Sequence, residues 1–346
     1  MAIEPVDYPF GTPTTEDAFR VRLPGERLFV KIIRSFRRWP LFHTLPPDLA
    51  EQAMASGLWH YEADVYTSGV GALLPAGMRL PEVHHVAALD DDRIAIVMEN
   101  VEVTDRPWSR DRFARAARLL ARLNVRLTRA DALPASAPRV PGFMNDVHYR
   151  GRLLTADLPM LADDRTWAHP LLAPHRELRS TLDRLAQELP AVIDELREPP
   201  QLLIHGDASP QNLLTIEDGT FVVIDWTMGG MAAAGTDLAQ LLIGLAHAGL
   251  VPVTDLPELR TVVIDAYTEG LADEDFPADR EAVRRGLDGG LLLRSGFTAL
   301  PLTRLHEPLT GELAGLIEAR LALTAYLCDL GSGLVAPGPR SPAISC

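Results

Sequence analysis

The polar residues of one short stretch are of the types that bind a metal ion. This stretch, residues 201–226, reads QLLIHGDASPQNLLTIEDGTFVVIDW, and its apolar runs LLTI and FVVI flank the tight-turn sequence EDG at residues 217–219. The pattern predicts a β-hairpin, which brings together Asn212, just before its first strand, and Asp225, just after its second. A carboxylate and an amide oxygen, with phosphate oxygens as further ligands, suit Mg²⁺. The stretch therefore predicts a magnesium site at one end of a small sheet.

Two further residues would complete a phosphoryl-transfer site. Asp207 follows an apolar strand and precedes Asn212 by five residues, so its carboxylate could accept the proton of a hydroxyl group. Lys31 is the single lysine among 33 lysine and arginine residues. A lysine is a compact point charge on a thin stem that can reach from a strand to a phosphate. A base, two metal ligands and a phosphate-binding lysine are the groups that phosphoryl transfer needs.

The first hundred residues are predicted to form a small sheet with a helix. Residues 19–33, FRVRLPGERLFVKII, alternate apolar and polar positions around the turn signal PGE, which predicts a hairpin with Lys31 on its second strand. Residues 46–67 favour one or two short helices, and residues 93–97 are rich in β-forming side chains. We therefore expect residues 1–100 to form a β-rich lobe.

The rest of the chain shows helical periodicity. Residues 109–127 place apolar side chains on one helical face with Ser109 as the N-cap, and residues 175–196 show a similar pattern. Further helices are predicted at residues 236–250, 256–272, 278–298 and 311–330. We therefore expect residues 101–346 to form a larger, mainly helical lobe, with a frayed tail at residues 333–346.

The sequence HGDASPQN, residues 205–212, followed by IDW, residues 224–226, resembles the aminoglycoside phosphotransferase and choline kinase family of small-molecule kinases. The spacing of Asp207 and Asn212 is also that of the protein-kinase catalytic loop. The resemblance covers most of the chain and implies an α+β, bilobal, protein-kinase-like fold with a small β-rich N-lobe and a larger helical C-lobe. It implies that Asp207 is the catalytic base and that Asn212 and Asp225 are magnesium ligands.

The same resemblance implies nucleotide-binding roles for residues of the first lobe. Lys31 would contact the nucleotide phosphates, and Glu62, in YEADVY, would hold Lys31 through an ion pair. The backbone of Glu99 and Val101, in MENV, would meet the adenine edge. The loop PFGTPTTED has one glycine, whereas the loop that covers the nucleotide phosphates in a protein kinase has three. Hydroxyl or backbone groups of Thr12, Thr14 and Thr15 would therefore contact the phosphates instead.

Two residues near the catalytic segment are expected to have structural roles. His205 is interpreted as an organiser of the loop, because Asp207 already supplies the base. Asp237, in AGTDLAQLL, opens a predicted helix, and N-capping is favoured over catalysis. Trp226 and Thr227 follow the metal aspartate where a protein kinase has Phe and Gly, which argues against a switchable activation segment.

The acceptor that the resemblance implies is a small molecule with a hydroxyl group, bound between the catalytic loop and the C-terminal helices. Acidic residues there would fit an amine-bearing acceptor, and the candidates are Asp146, Asp163, Asp164, Glu269, Asp273, Glu274 and Asp275. Arg150 and Arg294 point instead to an acceptor with a carboxylate or phosphate. The sequence leaves both alternatives open, and a solvated helix end also explains each acidic residue.

The charge and composition of the chain limit its partners. The formal net charge is −14 and both predicted lobes are acidic, which opposes binding to nucleic acid and to anionic membranes, although acidity can also serve solubility alone. Cys328 and Cys346 are too few for a disulfide framework and lack metal-ligand spacing. The start MAIEPVDYPFG has no signal-peptide pattern, and the longest apolar stretch is interrupted by Gln, His and Pro, so we expect a cytoplasmic protein. A monomer and a homodimer are both compatible with the sequence.

Three functions are compatible with these residues. The favoured one is transfer of the γ-phosphoryl group of Mg-ATP to a hydroxyl of an antibiotic or amino sugar, with GTP not excluded as the donor. The Arg-, Ala-, Pro- and Leu-rich composition is typical of a GC-rich genome, which fits a self-resistance or natural-product kinase. The alternative is a metabolic kinase of the same fold acting on choline, an amino acid or a simple sugar. A nucleotide-binding protein without catalysis is disfavoured, because the base, both metal ligands and the phosphate-binding lysine are all present.

Overall fold

The computed structural model describes residues 1–6, 12–131 and 133–335. The strands are β1 (Ala2–Pro5), β2 (Thr15–Leu23), β3 (Glu26–Arg34), β4 (Met78–Arg79), β5 (Val83–Asp90), β6 (Arg93–Glu99), β7 (Gln201–Ile204), β8 (Leu213–Thr215), β9 (Phe221–Val223) and β10 (Gly230–Ala233). An antiparallel sheet of the order β1, β2, β3, β6, β5 forms the N-terminal part. The predicted hairpin is present as β2 and β3, and Gly25 has the positive φ of 82° that its turn requires. Lys31 pairs with Ala18 on one side and with Ile96 on the other, so it lies on an interior strand.

Helices make up most of the remaining structure. They are α1 (Pro47–Ala55), α2 (Tyr61–Thr67), α3 (Arg110–Arg129), α4 (Phe143–His148), α5 (Leu158–Ala162), α6 (Asp164–Ala168), α7 (Arg176–Glu195), α8 (Leu238–His247), α9 (Leu256–Ala272), α10 (Arg280–Leu291) and α11 (Gly311–Val335). The side chain of Ser109 accepts a hydrogen bond from the Arg112 N–H, so the predicted N-cap of α3 is confirmed. The predicted helix at residues 278–298 is α10 continued by the π-helical segment Leu292–Gly296.

Two small sheets lie within the helical part and carry the predicted catalytic residues. Strands β8 and β9 form the predicted hairpin with Leu213 opposite Val223, and Gly219 has a φ of 87° in its turn. The Ile224 N–H donates to the Asn212 carbonyl at 3.1 Å, so the two ends of the hairpin meet as expected. Strand β4, from the first hundred residues, pairs in parallel with β9. Strands β7 and β10 form the other sheet.

Buried apolar side chains form one main core around these small sheets. This core joins the inner faces of α3, α8 and α9 to Phe221 and Trp226, which are fully buried. The N-terminal sheet has a smaller cluster in which Ile33 and Ile96 pack against Ala63 of α2. Because α2 is held against the sheet in this way, the face of α2 next to Ala63 is directed at β3, the strand that carries Lys31.

Several features of the fold differ from the sequence-based predictions. Strand β1 and a second π-helical segment, Tyr149–Asp157, were not predicted. The helix predicted to end at residue 330 continues to Val335, because Leu334 and Val335 pack against a second core cluster; the tail was therefore predicted to fray too early. The rest of the predicted tail, with Cys346, lies outside the described residues, and Cys328 is buried as a free thiol. No helix among the described residues is long and apolar enough to cross a bilayer.

Candidate active site

Lys31 makes a buried ion-pair network that joins the N-terminal sheet to the helical part. Its ammonium nitrogen Nζ lies 2.6 Å from Glu62 Oε2 and 3.1 Å from Asp225 Oδ1. The Tyr66 hydroxyl donates to the other oxygen of Glu62 at 3.2 Å. Burial opposes the charge on Lys31, but the two carboxylates outweigh it and raise the pKa of Lys31 above its usual value. The ammonium is therefore charged and held at a defined position.

Asp225 follows β9 in a backbone conformation that is rare for a residue with a side chain. Its φ of 60° and ψ of 71° are left-handed, and such strained residues cluster at functional sites. The carboxylate oxygen that meets Lys31 also accepts a hydrogen bond from the Thr227 hydroxyl at 2.8 Å. Its second oxygen, Oδ2, has no hydrogen-bond donor among the described residues. One oxygen of the Asp225 carboxylate is therefore available to a cation.

The catalytic loop, residues 205–212, connects β7 to β8. The side-chain nitrogen of Asn212 donates to the Asp207 carbonyl at 2.9 Å and to Asp207 Oδ2 at 3.0 Å. Asn212 Oδ1 accepts no hydrogen bond from the described residues, which leaves it available to a cation. No group of three His, Cys, Asp or Glu residues that could hold a metal occurs within the described ranges. Mg²⁺ needs few protein ligands when phosphates supply the rest, so Asn212 and Asp225 fit such an ion.

Asp237 holds the backbone of the catalytic loop. Its carboxylate accepts hydrogen bonds from the His205 N–H at 3.0 Å and from the Gly206 N–H at 2.8 Å. The buried side chain of Asn124, on α3, donates to the same carboxylate at 3.1 Å. Asp237 stands at the N-cap position of α8, but its side chain makes no capping hydrogen bond. The expectation of N-capping was wrong, because the loop amides compete successfully for the carboxylate.

His205 and Gly206 shape the same loop. The His205 ring is buried; its Nδ1 accepts from the Asp207 N–H at 3.2 Å, which makes Nε2 the donor to the Ile224 carbonyl at 2.9 Å. Gly206 has a φ of 81°, and a Cβ there would lie 1.8 Å from the Met228 carbonyl oxygen. The loop therefore requires glycine at this position, and the contacts of His205 are those of an organising residue.

Arg294 is a functional candidate that the sequence did not assign to the catalytic loop. Its guanidinium donates to the Gly206 carbonyl, and Nη2 lies 3.3 Å from Asp207 Oδ1. The residue belongs to the π-helical segment Leu292–Gly296, and such segments are rare and occur frequently at functional sites. Irregular helix geometry is not visible in apolar periodicity, so the placement could not be derived from the sequence.

The pKa values of Asp207 and Asp225 are shifted in opposite directions. Burial raises the pKa of the Asp207 carboxyl; Asp225 and Asp237 add to this effect, and the Arg294 guanidinium opposes it. Burial acts on Asp225 as well, but the neighbouring Lys31 ammonium outweighs it and holds the pKa of Asp225 below its usual range. Pairs of carboxylates with separated pKa values are typical of sites in which one acts on protons and the other stays ionised.

The residues expected around the nucleotide lie at the ends of strands. The Glu99 N–H donates to the Glu82 carbonyl at 2.9 Å, and the Glu99 side chain pairs with Arg79. No hydrogen bond from the Val101 N–H to another described residue is found. Thr14 and Thr15 are both buried beside β3, whereas residues 9–11 of the predicted phosphate loop lie outside the described residues.

Six of the seven acidic residues expected to bind an amine are paired with arginines. Asp146 lies 2.9 Å from Arg197, Glu269 lies 3.1 Å from Arg118, and Asp273 lies 2.7 Å from Arg118. Of the other candidates, Glu274 pairs with Arg122 and Arg126, Asp163 with Arg165, and Asp164 with Arg179. The Asp275 side chain makes no ion pair with a described residue, although its backbone carbonyl accepts a hydrogen bond from Arg129. None of these carboxylates contacts the catalytic loop within the described structure, and Arg150 is paired with Asp48. The structure does not bring the expected acidic surface together.

A cavity of about 810 Å³ opens beside the end of β6. The β2–β3 turn, Glu99, Asn100 and the β8–β9 turn line it. Lys31, Asp207 and Asp225 do not, so this cavity adjoins the expected adenine position and is separate from the reacting groups.

Comparison with known protein families agrees with this geometry. The family model APH, described as the phosphotransferase enzyme family, matches residues 14–282. The chain belongs to the phosphotransferase enzyme family. No curated protein sequence matches it.

Solved structures of this phosphotransferase family share the fold. Amicoumacin kinase hAmiN in complex with AMP-PNP, Ca²⁺ and Ami has a TM-score of 0.56 and 13% identity, over 95% of this chain and 89% of that chain. A thermostable mutant of aminoglycoside phosphotransferase APH(4)-Ia, in a ternary complex with AMP-PNP and hygromycin B, has a TM-score of 0.52 and 14% identity over 96% and 95%. The GDP and kanamycin complex of APH(2")-IIia has a TM-score of 0.51 and 12% identity over 97% and 94%.

These findings confirm the predicted family and the bilobal, protein-kinase-like α+β fold. The family model thus assigns the chain to the phosphotransferase enzymes. Sequence reasoning named Arg294 only as a group for an anionic acceptor, and it missed Asn124, which supports Asp237 from α3. A signal for Asn124 was present, since it is a polar residue on the apolar face of a strongly amphipathic helix.

Proposed function

We propose that this phosphotransferase moves the γ-phosphoryl group of Mg-ATP to a hydroxyl group of an antibiotic or a related natural product such as an amino sugar. The observation that carries the proposal is the buried Lys31, which meets Glu62 and Asp225 at 2.6 and 3.1 Å. Phosphoryl transfer needs such a lysine for the nucleotide phosphates close to a metal aspartate. In this proposal residues 1–100 hold the nucleotide, and residues 101–346 supply the base, the metal ligands and the acceptor site.

The proposed reaction is a direct transfer. The acceptor oxygen forms a bond to the γ-phosphorus while the bond from that phosphorus to the β,γ-bridging oxygen breaks, and the acceptor proton passes to the Asp207 carboxylate. Lys31 holds the phosphates in line, and Asn212 and Asp225 offer one free oxygen each to a cation. Mg²⁺, when bound, neutralises charge on the phosphate oxygens. ADP and the phosphorylated acceptor are the products.

The nucleotide base is proposed to bind at the end of β6. Because the Glu99 N–H is used by Glu82, the Glu99 carbonyl would accept from the adenine amino group, and the Val101 N–H would donate to the ring. Thr14 and Thr15 are proposed to help cover the phosphates through backbone groups, since their side chains are buried. GTP is a second candidate donor, because structural relatives are solved with GDP as well as with AMP-PNP.

Support for an antibiotic-like acceptor comes from the relatives that share the fold, which are kinases of amicoumacin and of aminoglycosides. For the amino-sugar form of the proposal, Asp146, Glu269 and Asp273 would have to leave their arginine partners to bind an amine. Identification of the acceptor therefore needs a direct assay.

The test is mass spectrometry of hydroxylated acceptors incubated with the protein and Mg-ATP. The panel contains aminoglycosides, peptide and nucleoside antibiotics, choline and simple sugars. One acceptor that gains a single phosphoryl group would support the proposal. Failure of every acceptor, with no binding of Mg-ATP by calorimetry, would contradict it.

Protein variants measured in the same assay separate the roles of the individual residues. We expect Asp207→Asn to bind Mg-ATP nearly as well as the wild type and to lose at least 99% of turnover, which corresponds to about 100-fold for general-base catalysis. Asp225→Asn should weaken Mg-ATP binding itself, and Lys31→Arg should lower turnover because a planar fork does not fit a point-charge site. Full activity of Asp207→Asn would show that the base is misassigned.

A further inference from the structure

Glu62, the residue that holds Lys31, has a partner for each of its two carboxylate oxygens. Oε2 pairs with the Lys31 ammonium at 2.6 Å, and Oε1 accepts a hydrogen bond from the Tyr66 hydroxyl at 3.2 Å. Glu62 is 1% exposed, so water cannot replace either partner. Among the described residues, the Tyr66 hydroxyl is the one donor to Oε1. The orientation of the carboxylate therefore depends on Tyr66 as well as on Lys31.

Helix α2 places Tyr66 for this contact. Tyr66 follows Glu62 by four residues on the same helix, so the two side chains lie on one face of it. The Tyr66 ring packs against the small apolar cluster of the N-terminal sheet and also against the main core. The ring is thus fixed by packing on two sides, and its hydroxyl is presented to Glu62.

Helix α2 is held in place by contacts that do not involve the Tyr66 hydroxyl. On the opposite side of the helix, Asp64 Oδ2 lies 2.7 Å from His60 Nδ1 and accepts a hydrogen bond from the hydroxyl of Ser136. Ser136 is a buried residue of the helical part, so this contact ties α2 to the larger lobe. Loss of the Tyr66 hydroxyl should therefore leave the helix in place and act on the Glu62 carboxylate.

A buried carboxylate oxygen without a donor is unfavourable. Loss of a hydrogen bond to a charged group shifts an equilibrium by about tenfold or more. Without the Tyr66 hydroxyl, the Glu62 carboxylate would reduce this cost by turning Oε1 towards Lys31 or by taking up a proton. Either change alters the position of the Lys31 ammonium, because Glu62 and Asp225 together define that position.

We propose that Tyr66 is a positioning residue for nucleotide binding: its hydroxyl fixes the Glu62 carboxylate, which in turn holds the Lys31 ammonium where the phosphates bind. This role rests on the proposed function, in which Lys31 contacts the nucleotide phosphates. Tyr66 acts through Glu62 and is not itself a catalytic residue. Phenylalanine could fill a packing role at this position, whereas the positioning role needs the hydroxyl.

The single lysine of the chain provides a direct readout of this role. Lys31 is the only side-chain amine, so an amine-reactive acetylating ester reports on it alone, and peptide mass spectrometry measures the rate. Each rate is divided by the rate for the same variant unfolded in urea. In Tyr66→Phe, Lys31 should react about tenfold faster than in the wild type, because the hydrogen bond that orients its carboxylate partner is lost. This measurement needs no nucleotide.

Calorimetry with Mg-AMP-PNP measures the consequence for nucleotide binding. Tyr66→Phe should bind Mg-AMP-PNP about tenfold more weakly than the wild type, for the same reason. The matched control is Tyr61→Phe, because Tyr61 lies on the same helix and its buried hydroxyl has no hydrogen-bond partner in the described part of the chain. Both quantities should stay close to the wild-type values in this control. Circular dichroism and the melting temperature check the folding of each variant.

A double-mutant cycle shows whether Tyr66 acts through Glu62. Glu62→Met removes both carboxylate oxygens, so it should speed the labelling of Lys31 and weaken the binding of Mg-AMP-PNP by itself. Addition of Tyr66→Phe to this variant should change neither quantity further, because the oxygen that the hydroxyl fixes is already absent. A general structural effect of the hydroxyl would instead add to the effect of Glu62→Met.

Three results would overturn the positioning role of Tyr66. These are unchanged labelling or unchanged nucleotide affinity in Tyr66→Phe, equal changes in Tyr61→Phe, and a full effect of Tyr66→Phe in the Glu62→Met background. Absence of Mg-AMP-PNP binding by the wild type would contradict the proposed function itself. Normal binding by the wild type together with any of the three results contradicts only the role of Tyr66.

Discussion

The backbone of the catalytic loop is held by one buried carboxylate, that of Asp237. Asp237 accepts two backbone N–H groups of the loop and the side chain of Asn124, and Asn124 is itself fixed by a bond to the Tyr267 hydroxyl at 3.0 Å. A buried carboxylate that accepts several hydrogen bonds is held in one orientation. The position of Asp207, one residue beyond these amides, is therefore set by a residue thirty positions later in the chain.

Replacement of Asp237 by asparagine tests this positioning role. Asparagine retains one acceptor oxygen but places an amide donor against a backbone donor, so we expect a loss of about 1–3 kcal/mol in the free energy of unfolding. Turnover should fall at least tenfold, with a smaller change in Mg-ATP affinity. Urea denaturation, steady-state kinetics and calorimetry measure the three quantities. Asp265→Asn is the control, since Asp265 is exposed and pairs with Arg280 on the surface; equal kinetics for both variants would argue against the role.

At the scale of elements, the contact between α3 and α9 supports the main core. Gly270 lets the two helices approach closely, because a Cβ at this position would lie 2.3 Å from the Arg118 carbonyl oxygen and 2.8 Å from the Ala121 Cβ. The same pair of helices is joined on its outer side by the ion pairs of Arg118 with Glu269 and Asp273. These exposed pairs contribute little to stability, so the close packing is the main source of the contact energy.

Alanine at position 270 should therefore separate the helices. We expect Gly270→Ala to lower the free energy of unfolding by about 1–3 kcal/mol, as overpacked sites do. The matched control is Gly315→Ala in α11, where a Cβ meets no atom within 4 Å. That change should be neutral or raise stability by up to about 1 kcal/mol, because alanine is the better helix former. Chemical denaturation of both variants measures the difference, and equal effects would contradict the close-packing argument.

At the scale of the whole molecule, the two lobes are joined at the site itself. Lys31 comes from the N-terminal sheet, Asp225 lies 194 residues later in the chain, and their side chains meet at 3.1 Å. Strand β4 adds a second link by pairing with β9 of the catalytic hairpin. A nucleotide that binds Lys31 and the cation ligands together would thus strengthen the connection between the lobes.

Mg-ATP should accordingly stabilise the folded protein. At about 100 times its dissociation constant, a ligand that binds only the native state adds about 2.7 kcal/mol, which should appear as a higher melting temperature. In Lys31→Met the shift, measured against the variant without ligand, should be less than half that of the wild type. MgCl₂ alone serves as the control for the cation. An undiminished shift in Lys31→Met would show that Lys31 does not hold the nucleotide.

Local patterns in the sequence determined much of this protein. The EDG turn and its short apolar runs predicted the hairpin that brings Asn212 and Asp225 together, and the PGE turn predicted the strand of Lys31. Apolar periodicity predicted α3 and α9. These features were predictable because turn geometry and the period of a helix depend on residues only a few positions apart.

Tertiary packing decided the remaining features. Whether Asp237 caps its own helix or binds a distant loop depends on which donors the fold brings closer, and the loop amides lie within 3.0 Å. Glu269 and Asp273 became partners of Arg118 because α9 packs on α3, which no local pattern specifies. Arg294 reached Asp207 through a π-helical turn that apolar periodicity does not encode. Charge pairing is set by distances between elements far apart in the chain, so the sequence determined which groups are present and the tertiary structure decided which of them meet.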